Sequence, residues 1–387
     1  MTGVHVIGTG LLGTSLGLAL TRAGWTVTLA DASPTAQRLA ADMGAGTVSD
    51  PEAPAVVVVC TPPDVAGPMI VDALRRWPDA TVTDVASVKS AVFEAVRRNV
   101  GRPDLDRYIG SHPMAGRERS GAIAARADLF TARPWVVCSD EDTPPERLAQ
   151  VVAIAEAVGA VVTHLDPDFH DASVARVSHA PQVVASLMAA QLRQMPDEGV
   201  ALAGQGLRDV TRIAASDPGL WTQILAGNAP EVATVLKGIR ADLDAVIEAL
   251  DLRDGALRTL AGAIAAGNEG HDRIPGKHGQ APAKYADITV YMDDEPGSLA
   301  RLFADVGDLG INVEDVRMDH APGIMLGSVD ISVLPAQAHA LVEGLTARGW
   351  WVPESELEAA AEDPAGGSTT ATHDSPLVGT TTEEGQR

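Results

Sequence analysis

The sequence predicts an α/β protein in three folded parts. These are an N-terminal parallel sheet covered by helices on both faces, an all-α middle section, and a small C-terminal α+β module. Three observations predict it. Short β-branched runs alternate with helical patterns in the first part; from about Asp166 the strands stop and apolar residues recur at helical spacing; beyond a Gly- and Pro-rich stretch, strands and helices alternate again.

In order, residues 4–7 (VHVI) form a strand that runs directly into GTGLLG at 8–13, followed by a helix over 15–23. Residues 25–30 make a second strand ending at Asp31, and 56–60 (VVVVC) a fully buried one closed by Thr61-Pro62-Pro63. Further strands are expected at 81–84, 108–110 and 134–138, with helices over 65–76 and 90–100. The middle section reads as helices over 179–193, 202–216, 220–227, 229–250 and 256–266. Helices this apolar need more cover than one thin layer provides, so a homodimer that buries them is expected. The C-terminal module places strands at 285–292 and 327–333, helices at 298–309 and 336–348, and a last extended stretch at 350–352, a βαββαβ order. From Pro353 the chain turns acidic and then rich in Gly, Ser and Thr, the composition of a disordered tail. The expected boundaries are a dinucleotide-binding domain at 1–165, a helical domain at 166–266, a linker at 267–284, the α+β module at 285–353 and the tail at 354–387.

Composition narrows the function. With 45% hydrophobic but only 3% aromatic residues, the core of this 387-residue chain must be built from Ala, Val, Leu and Ile. A formal charge of -23 argues against nucleic-acid or anionic-membrane partners, so an anionic substrate would need local arginines. Two cysteines, Cys60 and Cys138, make neither a metal cluster nor a secreted disulfide framework, and no metal is expected. No apolar run of about 18 residues is present. The opening MTGVHVIGTG lacks a basic leader, so a cytoplasmic location is expected.

Gly8, Gly10 and Gly13 form G-x-G-x-x-G between a strand and a helix, with Asp31 ending the next strand roughly 20 residues on. The first glycine permits the tight turn, the second the approach of a pyrophosphate, and the third close packing of helix on strand. Leu11 and Leu12 open the helix whose N-terminus faces the phosphates. Asp31 would bind ribose hydroxyls and repel a 2′-phosphate, which favours NAD over NADP and makes this a Rossmann-type domain. Thr61 lies where ligands of open α/β sheets bind, or merely ends a strand. In DVASVKS (84–90), Ser87 and Lys89 face the nicotinamide, or are a helix cap and a solvated lysine. SHPMAGRERSG (111–121) reads as a glycine-hinged loop that buries little; its His112, Arg117 and Arg119 look chosen for chemistry, though the arginines could simply pair with Glu118.

The blocks GTGLLGTSLGLAL, TDVASVKS, SHPMAGRERSG, VSHAPQVVA and LRDVTRIAASDPGLW occur in the order found in the prephenate/arogenate dehydrogenases, enzymes of tyrosine biosynthesis, which residues 4–250 resemble. The C-terminal module, with DEPGSL at 294–299 and GIN at 310–312, is similar to ACT domains, which bind amino acids. The resemblance implies that NAD takes a hydride from the ring carbon bearing a hydroxyl while carbon dioxide leaves. It makes His112 the base and has Ser87 orient the hydroxyl. Arg212 binds the side-chain carboxylate, and His179, Gln182 and Arg117 also contact substrate. Many relatives carry histidine where this chain has Gln182, which leaves the choice between prephenate and arogenate open. In the ACT-like module, Gly297 and Asn312 would hold an effector, with tyrosine expected, unless the module only dimerises. Two rivals remain: another β-hydroxyacid dehydrogenase, for which Lys237 is the candidate base, and a non-enzymatic NAD and amino-acid sensor.

Overall fold

The computed structural model describes residues 3–116, 121–139, 142–252, 255–275, 285–320 and 326–353. The chain divides into two compact units, Met1–Ala256 and Leu257–Arg387. The first contains a six-stranded parallel sheet of β1 (Gly3–Ile7), β2 (Thr26–Ala30), β3 (Thr47–Val48), β4 (Val56–Val59), β5 (Thr81–Asp84) and β6 (Tyr108–Ile109), in the order β3-β2-β1-β4-β5-β6. Helices α1 (Leu11–Arg22), α2 (Pro34–Asp42), α3 (Pro63–Arg76), α4 (Ser90–Arg97) and the short α5 (Arg102–Leu105) make the connections. All four valines of β4 are buried, as a central strand covered on both faces requires. Strand order reverses between β1 and β4, so the crevice at their C-terminal ends opens between Gly8 and Thr61.

The strand expected at 134–138 lies in a second, three-stranded sheet beside the parallel one. β7 (Ser111–Pro113) pairs antiparallel with β8 (Pro134–Cys138), which pairs parallel with β9 (Val161–Leu165) after α6 (Pro145–Ala157). The stretch expected to be a loop that buries little is therefore, over Ser111–Pro113, a buried strand. The chain leaves the first sheet at Gly110, where a Cβ would stand 2.6 Å from the Phe93 ring. A side chain there would have to displace the Phe93 ring.

The helical part comprises α7 (Pro167–Val174), a π-helical turn (Ala175–His179), α8 (Ala180–Gln191), α9 (Asp197–Val200), α10 (Gln205–Thr211), a 3-10 turn (Arg212–Ala214), α11 (Pro218–Gly227) and α12 (Ala229–Asp251). Asp166 and Asp217 cap α7 and α11, accepting from the N–H groups of Phe169 and Leu220 ahead of a proline at the first helical position. Ile239, Leu243, Ile247 and Leu250 form an exposed apolar stripe along α12.

In the second unit α13 (Ala256–His271) continues through Gly267–His271, so the expected linker does not begin at 267. Its glycines cost helix stability but do not end it. The remainder, 276–284, lies outside the described residues. Strands β10 (Ala286–Asp293), β11 (Asp315–His320) and β12 (Leu326–Val333) form an antiparallel sheet in the order β10-β12-β11, with α14 (Ser298–Asp308) and α15 (Pro335–Ala347) as connections. Trp351 bridges to Tyr291 on the free side of β10, which completes the βαββαβ order. Val290, Leu302, Val329, Ile331 and Leu341 are the centre of its core. The expected tail at 354–387 lies outside the described residues.

Candidate active site

The dinucleotide crevice follows from its glycines. Gly8 has a φ of +100°, and a Cβ on Gly13 would stand 1.8 Å from the Gly8 carbonyl oxygen, so turn and helix contact both depend on missing side chains. A Cβ on Gly10, by contrast, would meet nothing within 4 Å. The first turn of α1, with Leu11 and Leu12, has no side-chain cap, and its N–H groups are left for a ligand. Asp31 accepts from the Thr9 N–H at 2.6 Å and hydroxyl at 2.9 Å through one oxygen, and from the Ser33 N–H at 2.7 Å through the other. Across the crevice, the Thr61 hydroxyl is buried without a hydrogen-bond partner among the described residues. A buried hydroxyl without a partner at the C-terminal end of β4 fits a polar cofactor.

One strand further, Asp84 ends β5 and organises the Ser87 loop. Its Oδ1 accepts from the Ala86 N–H at 2.8 Å and pairs with the Lys89 ammonium, and its Oδ2 accepts from the Tyr108 hydroxyl at 2.6 Å. Lys89 is fully buried, which overturns the reading of a solvated lysine. Its Nζ also donates to the Ser111 carbonyl at 2.7 Å, directly before His112. The Ser111 hydroxyl donates to the Asp84 carbonyl at 2.6 Å. The Ser87 loop and the His112 strand are thus tied to one buried ion pair. Ser87 itself is half-buried.

His112 is 8% exposed, and its Nδ1 lies 2.9 Å from Nε2 of His170, a fully buried residue of α7. The other nitrogen of His170 lies 2.7 Å from Asp171 Oδ1. Burial pushes the His112 pKa well down, and the nearby Lys89 ammonium adds to it. The imidazole is neutral at cellular pH, as a base must be. His179, buried at the end of the π-helical turn, lies 3.1 Å from the Asn228 amide nitrogen, which also donates to the Asp171 carbonyl at 2.8 Å. Burial lowers the His179 pKa to about 4. Trp221 stands edge-on to it, half-buried.

Gln182 is buried on α8 and accepts from Ser216 at 3.4 Å, which ties α8 to the turn carrying Arg212. Arg212 is exposed, with no carboxylate partner among the described residues. Arg117, Arg119 and Glu118 lie outside the described residues. Lys237, the base a rival reading needs, is exposed on α12. In the second unit Gly297 caps α14 at a φ of +97° with open space around it, while Asn312 donates to Glu314 at 2.5 Å.

Sequence reasoning missed His170, Asp171 and Asn228, and misread Lys89. One signal was available: an acid ending a short β-branched strand, as Asp84 does in TVTD, needs a partner once the strand is buried, and Lys89 was within reach. The π-helical turn between His170 and His179 breaks the 3.6-residue period, so spacing could not place the two histidines on one site.

The family described as "Prephenate dehydrogenase, nucleotide-binding domain" matches residues 16–164, and "Prephenate dehydrogenase, dimerization domain" matches 166–261. A probable prephenate dehydrogenase, NovF, of Streptomyces niveus is 35% identical over 89% of this chain and 98% of its own length. The prephenate dehydrogenase of Aquifex aeolicus, crystallised with hydroxyphenyl propionate and NAD+, is 27% identical with a TM-score of 0.60, over 70% of this chain and 98% of that one. The Synechocystis arogenate dehydrogenase is 26% identical with a TM-score of 0.57, over 70% of this chain and all (100%) of that one. The chain is thus an NAD-dependent oxidoreductase, and it belongs to the prephenate dehydrogenase family.

Proposed function

We propose that the chain oxidatively decarboxylates prephenate to 4-hydroxyphenylpyruvate with NAD. The carrying observation is a neutral, buried His112 held beside the Ser87 loop at the C-terminal edge of the sheet. NAD fits the crevice between Gly8 and Thr61, with Asp31 toward the ribose, and when bound supplies the hydride acceptor.

His112 takes the proton of the ring hydroxyl as the hydride leaves the carbon that bears it, and Ser87 orients that hydroxyl. Loss of carbon dioxide then sends its bonding pair into the ring and leaves a phenolate, which reclaims the proton from His112. The proton is borrowed and returned, so a dianion becomes a monoanion, carbon dioxide and reduced cofactor with no net proton released. Arg212, which has no carboxylate partner among the described residues, takes the side-chain carboxylate. Lys89 is committed to Asp84 and the Ser111 carbonyl, so it does not clamp the carboxylate that must depart. His179 and Gln182 line the helical side, and Arg117 belongs to the same block of sequence.

Arogenate differs by an amino group in place of the keto oxygen. Gln182 can hydrogen-bond to either, so the keto acid is the proposed substrate and arogenate the alternative. The exposed stripe on α12 supports a homodimer. The open left-handed turn at Gly297 supports an effector site in the second unit, for which tyrosine is the proposed ligand; Asn312 must then release Glu314 to join it.

The test is NADH absorbance with the full chain and NAD, on prephenate and on arogenate. Turnover of prephenate supports the reading, turnover of arogenate alone moves specificity to Gln182, and silence on both overturns it. Added tyrosine should slow turnover; unchanged rate and unchanged melting would remove the effector proposal.

A further inference from the structure

We propose that His170 and Asp171 are positioning residues that hold His112 in the Nδ1–H tautomer and so leave Nε2 as the base. The inference rests on His112 being the base of the reaction above.

Asp171 lies where α7 meets the N-terminus of α4. One carboxylate oxygen accepts from the Lys89 N–H at 2.8 Å and the other from the Ser90 N–H at 2.8 Å, so a residue of the helical part caps a helix of the sheet part. Burial pushes the Asp171 pKa up, but the bond from His170 and the two N–H groups outweigh it and hold it below the usual value. Asp171 is therefore an anion and can only accept.

The rest follows from hydrogen-bond logic. His170 Nδ1, 2.7 Å from Asp171, carries a proton. In a neutral ring its Nε2 is then a lone pair. That lone pair faces His112 Nδ1 at 2.9 Å, which must donate. His112 Nε2 is left with the lone pair, ready for the substrate hydroxyl. His179 provides an internal contrast. The Asn228 amide nitrogen donates to the Asp171 carbonyl, which fixes the amide's orientation, so His179 Nδ1 accepts and its proton sits on Nε2.

The pair also serves the protonated base. Around His112 stand Lys89 and Asp84, paired with each other; Tyr108, which donates its hydroxyl to Asp84; and His170 and His179, both buried. Asp171 is the anion among them not matched by a buried cation, and it reaches His112 through one imidazole.

The deciding experiment is a long-range 1H–15N spectrum of the full-length protein with 15N-histidine, without substrate, assigned by single substitutions. His112 and His170 should both read as Nδ1–H and His179 as Nε2–H. An Nε2–H signal for His112 overturns the proposal. Kinetics give a second arm. His170→Asn keeps an amide N–H for Asp171 but removes the acceptor for His112. It should lower kcat on prephenate about 10- to 100-fold, leave KM for NAD unchanged, and move the acid limb of kcat to lower pH. His170→Gln, which returns an oxygen near the lost Nε2, should recover part of the loss. A purely structural His170 would lower Tm without moving the tautomer or the acid limb, and that result also overturns the proposal. If prephenate is not a substrate at all, the functional reading fails while the spectrum still decides the tautomer.

Discussion

Replacing Lys89 by Met tests whether the buried ion pair beneath the catalytic strand is what holds it. Lys89 and Asp84 are both fully buried. The substitution removes the ammonium and leaves the carboxylate with the Tyr108 hydroxyl at 2.6 Å and the Ala86 N–H at 2.8 Å, two donors but no countercharge. Breaking a buried pair from one side costs about 3–5 kcal/mol. For a unit of this size each kcal/mol lowers Tm by roughly 2–4 °C, so Lys89→Met should melt roughly 6–20 °C lower. The double variant Lys89→Met with Asp84→Asn removes the stranded charge as well and should recover part of that loss. Scanning calorimetry of the three proteins at neutral pH reads this directly. Turnover of Lys89→Met, measured well below its Tm, should also fall, because the Ser111 carbonyl loses its 2.7 Å anchor one residue before His112. A Tm within 2 °C of the parent, or a double variant less stable than the single, would refute the reasoning.

The glycine turn predicts a contrast. Gly10→Ala should fold with an unchanged Tm but raise KM for NAD at least about tenfold, because its Cβ meets no protein atom and only the pyrophosphate needs the space. Gly13→Ala should lose both stability and NAD binding, since its Cβ would stand 1.8 Å from the Gly8 carbonyl oxygen. His112→Asn should bind NAD normally by calorimetric titration while kcat drops at least about 100-fold; unchanged turnover would sink the mechanism. His5 and His179 are both held to about 4 by burial, below the unfolded value, so the unfolded chain binds more protons between pH 4 and 6.5. Stability should therefore fall as pH drops through that window, by about 3 kcal/mol per histidine at most, and a Tm that is flat from pH 6.5 to 4 would contradict it.

The alternation of strands and helices, the glycine turn with Asp31, and the helical run after Asp166 were legible because each repeats a local rule over many residues. Residues 111–113 were not. Three residues ending in proline carry no alternation, and their strand exists only because β8 supplies a partner about twenty residues later. Gly110, which precedes that block, turns the chain from one sheet into the next. His112, Ser87 and Arg212 came from blocks of sequence rather than from physics, and the structure supplies the physics for His112 above all. His170 and Asp171 were invisible for a definite reason: their work is done across elements, toward α4 and β7, and no local spacing records a contact made in three dimensions.

The site's ties cross the boundary between the sheet part and the helical part. Asp171 of α7 caps α4, Asn228 at the α11–α12 junction holds both the Asp171 carbonyl and His179, and His170 meets His112 on β7. All but the partly buried Ser90 bond are buried, and each joins a cofactor-side element to a substrate-side one, or steadies a residue that does. A base that must accept a proton while a hydride moves to the cofactor tolerates little freedom between the two sides. Placing His112 on a short buried strand meets that demand better than a loop would. The backbone is held by β8, the preceding carbonyl by Lys89, and the ring by His170, so three different elements must move before the base does. The exposed part of the proposed site is then the arginine side, where Arg212 has no carboxylate partner among the described residues and a substrate carboxylate would supply one. Rigidity at the reacting atom and freedom at the anchoring charge are what a substrate with one reactive ring and one distant carboxylate requires.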